Sequence, residues 1–315
     1  MTEKLLPQLT IDKIDSDDFI EIWIEPFLVD KKVQNKSKNT IRFYRSELKL
    51  FLEFCDTVAI KRFSQITPNE IRNYLLWLEQ TGHNPGGRHA AYRSLKVFMR
   101  WWWDEIEPEG FKNPIYKVKA PKVQIEPLEP VSVNSIRKLI ETCTDKNFYD
   151  LRDKALFFFL FDTGARAAET CALHLKDIDQ KTGTVLIRSG KGGFHRTVFI
   201  GRITRKAIRA YLRYRINRFD DGSPLWSTVS GEPLTYWGLN EILKRRSHRA
   251  LIIKPGLHDF RRAFALNALR PGMDIESLRL LLGHKDYQVI QRYLKENTED
   301  LRIAHHKASP VDNKF

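Results

Sequence analysis

The stretch Thr184–Ile200, TVLIRSGKGGFHRTVFI, decides the fold class of this chain of 315 residues. Two runs rich in β-branched residues flank the turn SGKGG at 189–193, and this pattern is typical of a β-hairpin. Helical periodicity surrounds the hairpin on both sides. The sequence therefore predicts a mainly α-helical protein with a small β-sheet, an α+β fold.

Helices are predicted on either side of the hairpin. Upstream, Ser132 caps a helix that runs to Cys143, and a second helix runs from Asp150 to about Gly164. Downstream, residues 202–218 form a helix with seven Lys or Arg and no acidic residue. Shorter helices are predicted after Arg166, near His258 and along IESLRLLLGH at 275–284.

The first 110 residues show helical periodicity alone. Apolar residues recur at i, i+4, i+7, i+8 and i+11 from Tyr44 to Cys55, and Thr67–Glu70 is a capping box that opens the next helix. Pro85 opens another, and an earlier helix covers Asp17–Leu28. Trp101–Trp103 end the helix from Pro85, and we expect them to be core rather than a base-stacking surface. The sequence predicts a small four-helix domain.

Domain boundaries follow from composition. Residues 1–110 form the helical domain, and the segment 111–130 is rich in proline, which stiffens an extended chain and breaks helices. Residues 131–315 form the second, mixed domain. The lysines of the linker either follow a phosphate backbone or are solvated, and the sequence does not separate these two interpretations.

The charge balance points to a polyanionic partner. The chain has 53 Lys and Arg against 39 Asp and Glu, a net charge of +14, and residues 131–315 hold an excess of 13 positive charges. Nucleic acid is the first expectation and an anionic membrane the second, while charge alone also fits a merely soluble basic protein. No apolar run reaches the length of a transmembrane helix, and three widely spaced cysteines exclude a CxxC metal site and a disulfide framework.

Six residues form a set that suits one kind of chemistry, nucleophilic attack on a phosphodiester. Guanidinium groups neutralise charge on the non-bridging oxygens, a tyrosine assisted by cations and a histidine attacks, and a lysine protonates the leaving hydroxyl. The chemistry needs no metal. Each residue taken alone is more often structural. The six candidates are Arg166, Lys191, His258, Arg261, His284 and Tyr293.

Together these residues carry a family resemblance. The stretches TGARAAETCALHLKDID, GKGGFHRTVFI, HDFRRAFA and LLGH, followed by Tyr293 nine residues after His284, resemble the ordered boxes of the tyrosine recombinase (phage integrase) family. The resemblance implies an N-terminal SAM-like core-binding domain and a C-terminal catalytic domain. The short stretch ahead of the first domain favours an Xer-like, two-domain member.

The resemblance also implies a role for each residue that binds or attacks the phosphate. Arg166 and Arg261 would hold the scissile phosphate, with His284 hydrogen-bonded to it. Tyr293 would be the nucleophile that forms a 3′-phosphotyrosyl intermediate, so that strands rejoin without ATP. No cofactor is implied.

The resemblance implies proton transfer by two other residues and a positioning role for a third. Lys191 would protonate the leaving 5′-hydroxyl, and His258 would act as acid/base or as a phosphate ligand. Glu169 would orient Arg166 by ion pairing, although a plain helix salt bridge explains the same spacing.

Double-stranded DNA is the implied partner, bound by a homotetramer on two DNA sites or by a heterotetramer with a paralogue. A cytoplasmic, nucleoid-associated protein without membrane contact is expected. Two other functions fit the same charges, a non-enzymatic DNA-binding regulator and a type IB topoisomerase-like enzyme. The candidate DNA-contact residues are Arg88, Arg93, Lys96, Lys244, Arg245 and Arg246.

Overall fold

The computed structural model divides the chain into two compact units, Met1–Ile125 and Glu126–Phe315. The residues that it describes are 18–123, 130–188, 195–215, 220, 222–270, 272–283, 302, 305, 306, 309, 311 and 312. They form helices and one three-stranded sheet. The predicted α+β class, mainly helical with a small sheet, is confirmed.

Four helices make up most of the first unit. They are α1 (Ile24–Val33), α2 (Lys38–Thr57), α3 (Pro68–Gln80) and α4 (Pro85–Ile106). The Thr67 hydroxyl accepts hydrogen bonds from the Asn69 and Glu70 backbone N–H groups, which confirms Thr67 as the cap of α3. The Glu70 carboxylate of the predicted capping box accepts from the Thr67 hydroxyl instead of the Thr67 backbone N–H. The first helix starts later than predicted, because Pro26 is compatible only with the first turn of a helix. It also ends later than predicted, at Val33.

The tryptophan run packs mainly into the core of the first unit. Trp102 is 2% exposed and stacks on Phe63 with 3.8 Å between ring centroids. Trp101 meets Phe27 edge-on at 5.4 Å. Trp103 lies at the edge, where its indole N–H donates to the Phe111 carbonyl at 3.3 Å. The run therefore serves packing, as expected for aromatic residues that end an amphipathic helix.

The proline-rich segment begins as part of the first unit. Asn113 is buried and donates from its side-chain amide to the Met99 carbonyl at 2.9 Å. Tyr92 donates to the Val118 carbonyl at 2.6 Å, and Ile115 is fully buried. Residues 111–118 are therefore held against α4. Positions 124–129, also within the predicted linker, lie outside the described residues.

The second unit surrounds a small antiparallel sheet with helices. Val185 lies opposite Val198 in the register of the two strands on either side of 189–194, which confirms the predicted hairpin strands. The turn itself lies outside the described residues. The elements are α5 (Val133–Glu141), α6 (Phe148–Thr163), α7 (Ala167–Cys171), β1 (Ile178–Asp179), β2 (Thr184–Arg188), β3 (His195–Phe199), α8 (Arg202–Tyr214), α9 (Tyr236–Arg249), α10 (Leu257–Leu269) and α11 (Ile275–Leu282).

Helix α6 is the centre of the second unit. It contacts α5, α8, α10 and β3, and side chains on all of its sides are buried, including Phe157, Phe159 and Leu160. A helix that is apolar all round is stable only when other elements cover it on every side. The position of its C-terminal end, after Thr163, is therefore fixed by the packing of the whole unit.

A buried ion cluster ties α6 to α9. The Arg246 guanidinium donates to Asp153 at 2.8 Å, to Asp150 at 2.7 Å and to the Thr142 carbonyl at 2.8 Å. Arg152 donates to the other oxygen of Asp153 at 2.8 Å. Arg246 is 1% exposed and its charge is neutralised by Asp150 and Asp153, so its prediction as a DNA contact is wrong. Its side chain points into the protein and its charge is used by two carboxylates.

We expect Arg246→Gln to lower the free energy of unfolding of the second unit by about 3–5 kcal/mol, because it removes the cation that the buried carboxylates of Asp150 and Asp153 share. Lys244→Gln, at an exposed position of the same helix, is the matched control and should change stability by about 0.5 kcal/mol or less. Urea unfolding of both variants measures the difference. Equal stability of the two variants would contradict the structural role of Arg246.

Candidate active site

Three predicted site residues converge at the C-terminal end of α6. Arg166 precedes α7, and His258 and Arg261 lie in the first turn and a half of α10, which packs on α6. Arg261 donates to the carbonyl of Gly164, two residues before Arg166, at 2.8 Å, and the charges of Arg166 and Arg261 both lower the pKa of His258. The other predicted catalytic residues, Lys191, His284 and Tyr293, lie outside the described residues.

A glycine at the end of α6 makes this convergence possible. Gly164 has φ +58°, in the left-handed region that favours glycine. A Cβ at this position would lie 2.5 Å from Phe264 and 2.9 Å from Leu282. The absence of a side chain therefore lets α10 and α11 approach the turn that presents Arg166.

Glu169 is shared by two arginines. Its carboxylate accepts from the Arg166 guanidinium at 2.9 Å and from the Arg166 backbone N–H at 2.8 Å. Arg196 donates to the two oxygens at 3.0 and 2.6 Å. Burial alone would raise the pKa of Glu169, but the hydrogen bonds from Arg196 and Arg166 outweigh it and lower the pKa to about 2. The carboxylate is therefore ionised at any physiological pH.

Arg196 is the residue of this site that the sequence prediction missed. Besides Glu169, it donates from Nε to the Leu281 carbonyl at 2.7 Å. It lies in β3 at the same parity as Val198 and Ile200, both buried. An arginine in an inward-facing row of apolar residues needs a buried partner, and this alternation is the signal that indicates its role.

Arg261 connects α10 to the C-terminal ends of two other helices. Its guanidinium donates to the Gly164 carbonyl at 2.8 Å and to the Leu282 carbonyl at 2.6 Å, and the residue is 1% exposed. It therefore holds the end of α6 against the end of α11. The box LLGH begins at Leu281, so Arg261 also links the Arg166 turn to this box.

The end of α11 is held by both arginines. Arg196 binds the Leu281 carbonyl and Arg261 binds that of Leu282. Gly283 follows with φ +65°, and a Cβ there would lie 2.9 Å from the Arg196 side chain. The chain direction immediately before His284 is thus set by the same two guanidiniums that contact Glu169 and Gly164.

His258 lies in a positive environment. Its pKa is lowered from the ordinary value, first by burial and then by the charges of Arg261, Arg262 and Arg166, while Asp259 opposes the shift. Lowering the pKa favours the neutral imidazole at neutral pH. A neutral imidazole can accept a proton or a hydrogen bond, which suits an acid/base group more than a fixed cation.

The predicted DNA contacts of the first unit differ in their surroundings. Arg88 pairs with Glu79 at 2.7 Å and its side chain is 18% exposed, so its charge is partly used within the unit. Arg93 and Lys96 line a groove of about 640 Å³ on α4 together with Arg100 and aromatic side chains.

Of the α9 candidates, Lys244 is exposed and Arg245 is half exposed, with Asp153 at 3.3 Å.

Two other kinds of site are absent from the part of the chain that the structure describes. In that part, no cluster of His, Cys, Asp or Glu has the makings of a metal site. Within the same ranges, no helix combines the length and the apolar composition that crossing a bilayer requires.

Two family profiles match the two units. The profile of the phage integrase family matches residues 130–300, and that of the phage integrase N-terminal SAM-like domain matches residues 23–107. Together they cover the residues that form the site as well as the four helices of the first unit. The chain belongs to the phage integrase family, the tyrosine recombinases.

Individual relatives agree with this assignment. The chain is 30% identical over 283 residues to tyrosine recombinase XerC of Leptospira interrogans, covering 88% of this chain and 89% of the relative. It is 30% identical over 297 residues to tyrosine recombinase XerA of Pyrococcus furiosus, covering 92% and 95%. The prediction of an Xer-like recombinase, and hence of an enzyme, is confirmed.

Solved structures share the fold. The crystal structure of XerH site-specific recombinase bound to palindromic difH substrate gives a TM-score of 0.71 at 20% identity, over 92% of this chain and 84% of that one. The crystal structure of a lambda integrase tetramer bound to a Holliday junction gives 0.71 at 15% identity, over 89% and 78%. At these identities the likeness concerns the fold alone.

We expect Arg262→Gln to raise the pKa of His258 toward its ordinary value of about 6.5. The substitution removes a nearby cation and also frees Asp259, which accepts from Arg262 at 2.7 Å, and both changes favour the protonated ring. NMR titration of the His258 ring protons measures the shift. Arg137→Gln, at an exposed position of α5, should leave this pKa unchanged. A constant or lower pKa in the Arg262 variant would contradict the electrostatic cause.

We expect Arg196→Lys to slow DNA cleavage by about 10- to 100-fold while DNA affinity stays near the wild-type value. A lysine keeps the charge but cannot bind both Glu169 oxygens and the Leu281 carbonyl, and small displacements of catalytic groups cost rates of this size. Single-turnover cleavage and DNA-binding measurements separate the two effects.

Arg188→Lys is the matched control for this experiment, because Arg188 lies on the neighbouring strand, is half exposed and pairs with Asp177 at 2.7 Å. It should cleave DNA normally. A wild-type rate for Arg196→Lys, or a parallel loss of affinity and cleavage, would show that Arg196 does not position the site.

Proposed function

We propose that this recombinase cleaves and rejoins DNA strands at specific sites through a covalent 3′-phosphotyrosyl intermediate, with Tyr293 as the nucleophile. The observation that carries the proposal is the convergence of Arg166, His258 and Arg261 at the end of α6. Arg261 also binds the end of α11, two residues before His284. This brings together the boxes that the sequence spaces far apart.

The chemistry follows from the residue types. The Tyr293 oxygen attacks the phosphorus, the bond from phosphorus to the 5′-oxygen breaks, and Lys191 gives a proton to the leaving 5′-hydroxyl. His258, neutral at physiological pH, takes the tyrosine proton or binds the phosphate. In the reverse direction a 5′-hydroxyl attacks the phosphotyrosine, which restores the tyrosine and a phosphodiester.

Charge on the reacting phosphate needs cations that are already oriented. The Arg166 side chain is 46% exposed and is held by Glu169, so one face of its guanidinium is fixed while the side chain remains accessible to DNA. Arg261 is as buried as Arg246, but it is fixed by two carbonyls, which orient its guanidinium without neutralising its charge. Donors that are fixed before the reaction stabilise the transition state without reorganisation, which supports phosphate binding by these two arginines and a supporting role for Glu169.

The two units divide the work in this proposal. The first, residues 1–110 with the segment to 130, holds the duplex, and residues 131–315 carry out the reaction. Arg93, Lys96 and Arg100 are spaced i, i+3, i+7 on α4, so their charges share one helix face that suits a phosphate backbone. Lys244 and Arg245 supply contacts from α9.

Assembly and location belong to the same proposal. Strand exchange between two duplexes needs four reacting tyrosines, and a lambda integrase with this fold has been solved as a tetramer bound to a Holliday junction. We infer a homotetramer, or a heterotetramer with a paralogue, on two DNA sites. A DNA substrate of this kind places the protein in the cytoplasm, at the nucleoid.

Tyr293→Phe should bind DNA with the wild-type affinity but form no covalent adduct, because the variant lacks only the nucleophilic oxygen. The measurement uses a pool of nicked suicide duplexes with randomised sequence beside the nick, and it detects protein–DNA adducts on denaturing gels.

Tyr287→Phe, six residues earlier in the chain, is the matched control and should still form the adduct. An adduct with Tyr293→Phe would show that the nucleophile is another residue. The absence of an adduct with the wild-type protein, together with intact binding, would favour a non-enzymatic DNA-binding protein.

A further inference from the structure

Helix α8 carries a row of cations that the proposed reaction does not use. Arg202, Lys206, Arg209 and Arg213 are spaced i, i+4, i+7, i+11, and all four are exposed. At 100° per residue they fall within a sector of about 60°, and at 1.5 Å per residue the row is about 17 Å long. We call these four residues the basic stripe.

The basic stripe faces away from the core. Ile208 and Tyr211 are fully buried and Thr204 is 3% exposed, and helical geometry places these three on the side of α8 opposite the stripe. The apolar face of α8 is thus already used in packing on α6. An amphipathic helix binds a membrane through its apolar face, so α8 is not available for that role.

The basic stripe is costly for the free protein. Among the described residues, no carboxylate lies within ion-pair distance of its four cations, so like charges at i, i+4 repel without compensation. Arg202 also lies in the first turn, where the helix dipole disfavours a cation. Helix α2, by contrast, balances Lys49 with Glu53 at 3.7 Å. A bound polyanion would remove both costs of α8.

We propose that the basic stripe is a second DNA-contact surface, which binds the phosphate backbone of duplex DNA outside the active site. The proposal rests on the proposed function, since it takes DNA as the polyanion that this chain handles. Three of the four residues are arginines, whose planar guanidinium binds phosphate with two hydrogen bonds. The length of the stripe corresponds to about five phosphates of one strand at about 3.4 Å of rise each.

The composition of the stripe favours DNA over an acidic protein. Protein interfaces are built around buried aromatic or aliphatic anchors with charges at the rim. Here the centre of the surface is Lys206 and Arg209, beside the small Ala210. The exposed large side chains next to it, Ile203 and Tyr214, lie at the two ends of the row. A surface that is charged at its centre matches a phosphate backbone.

The test compares the salt dependence of DNA binding in two double variants that lose the same charge. Lys206→Gln with Arg209→Gln removes the centre of the basic stripe, and Arg137→Gln with Lys138→Gln removes two exposed cations from α5. The probe is random-sequence duplex DNA, titrated over a series of salt concentrations. The slope of log affinity against log salt reports the number of phosphates contacted.

We expect the stripe variant to lower the steepness of the slope by about 1.8, since each lost phosphate contact accounts for about 0.9. The α5 variant should keep the wild-type slope. Thermal unfolding of the stripe variant should not occur at a lower temperature, because the substitution relieves repulsion between like charges. At saturating protein concentration it should still form the covalent adduct on nicked suicide duplexes.

An unchanged slope in the stripe variant, or an equal loss in both variants, would overturn the proposal and leave an acidic protein as the partner of α8. These outcomes are distinct from failure of the proposed function. If the wild-type protein forms the covalent adduct and only the slope result is negative, the second surface alone is wrong. If the wild-type protein forms no adduct, the assigned reaction is wrong.

Discussion

The site depends on how the carbonyls at the end of α11 are satisfied. The last carbonyls of a helix have no partner within it and carry partial negative charge, so a buried helix end needs donors, and cations are the best ones. Arg196 binds Leu281 and Arg261 binds Leu282. Each guanidinium has further donors, and these reach Glu169 and the Gly164 carbonyl. One pair of side chains thereby satisfies a helix end and joins elements that lie far apart in the sequence.

Local signals in the sequence were enough to predict most of the elements. The helix cap at Thr67, the β-branched runs around 189–193 and the periodicity of α2 each depend on neighbours within a few residues. The burial of Arg246 could have been predicted from local signals in the same way. The buried residues of α9 follow a helical period from Leu239 through Ile242 and Leu243, and that period includes 246 but not 244 or 245. Predicting Lys244, Arg245 and Arg246 together as DNA contacts overlooked this difference.

Other features depend on contacts that no local pattern encodes. Composition predicted that residues after 110 form a linker, yet Asn113 is buried and binds the Met99 carbonyl. A free linker and a segment that packs against a helix can have the same proline-rich composition. Only the contact with a neighbouring surface distinguishes them. Glu169 is similar. Its spacing from Arg166 predicts one ion pair, whereas its second partner comes from β3, 27 residues away. Long-range pairs of this kind become visible only once the sheet register is known.

The hydrogen bond from Arg196 to the Leu281 carbonyl couples strand β3 mechanically to the end of α11. β3 begins four residues after Lys191, and α11 ends two residues before His284, so the group assigned to proton donation and a group assigned to phosphate binding lie on chain segments joined by one side chain. A displacement of β3 would therefore also move the donor that binds the Leu281 carbonyl at the end of α11. Strand β3 and the end of α11 are thus one mechanical unit, coupled through a single side chain before any DNA is bound.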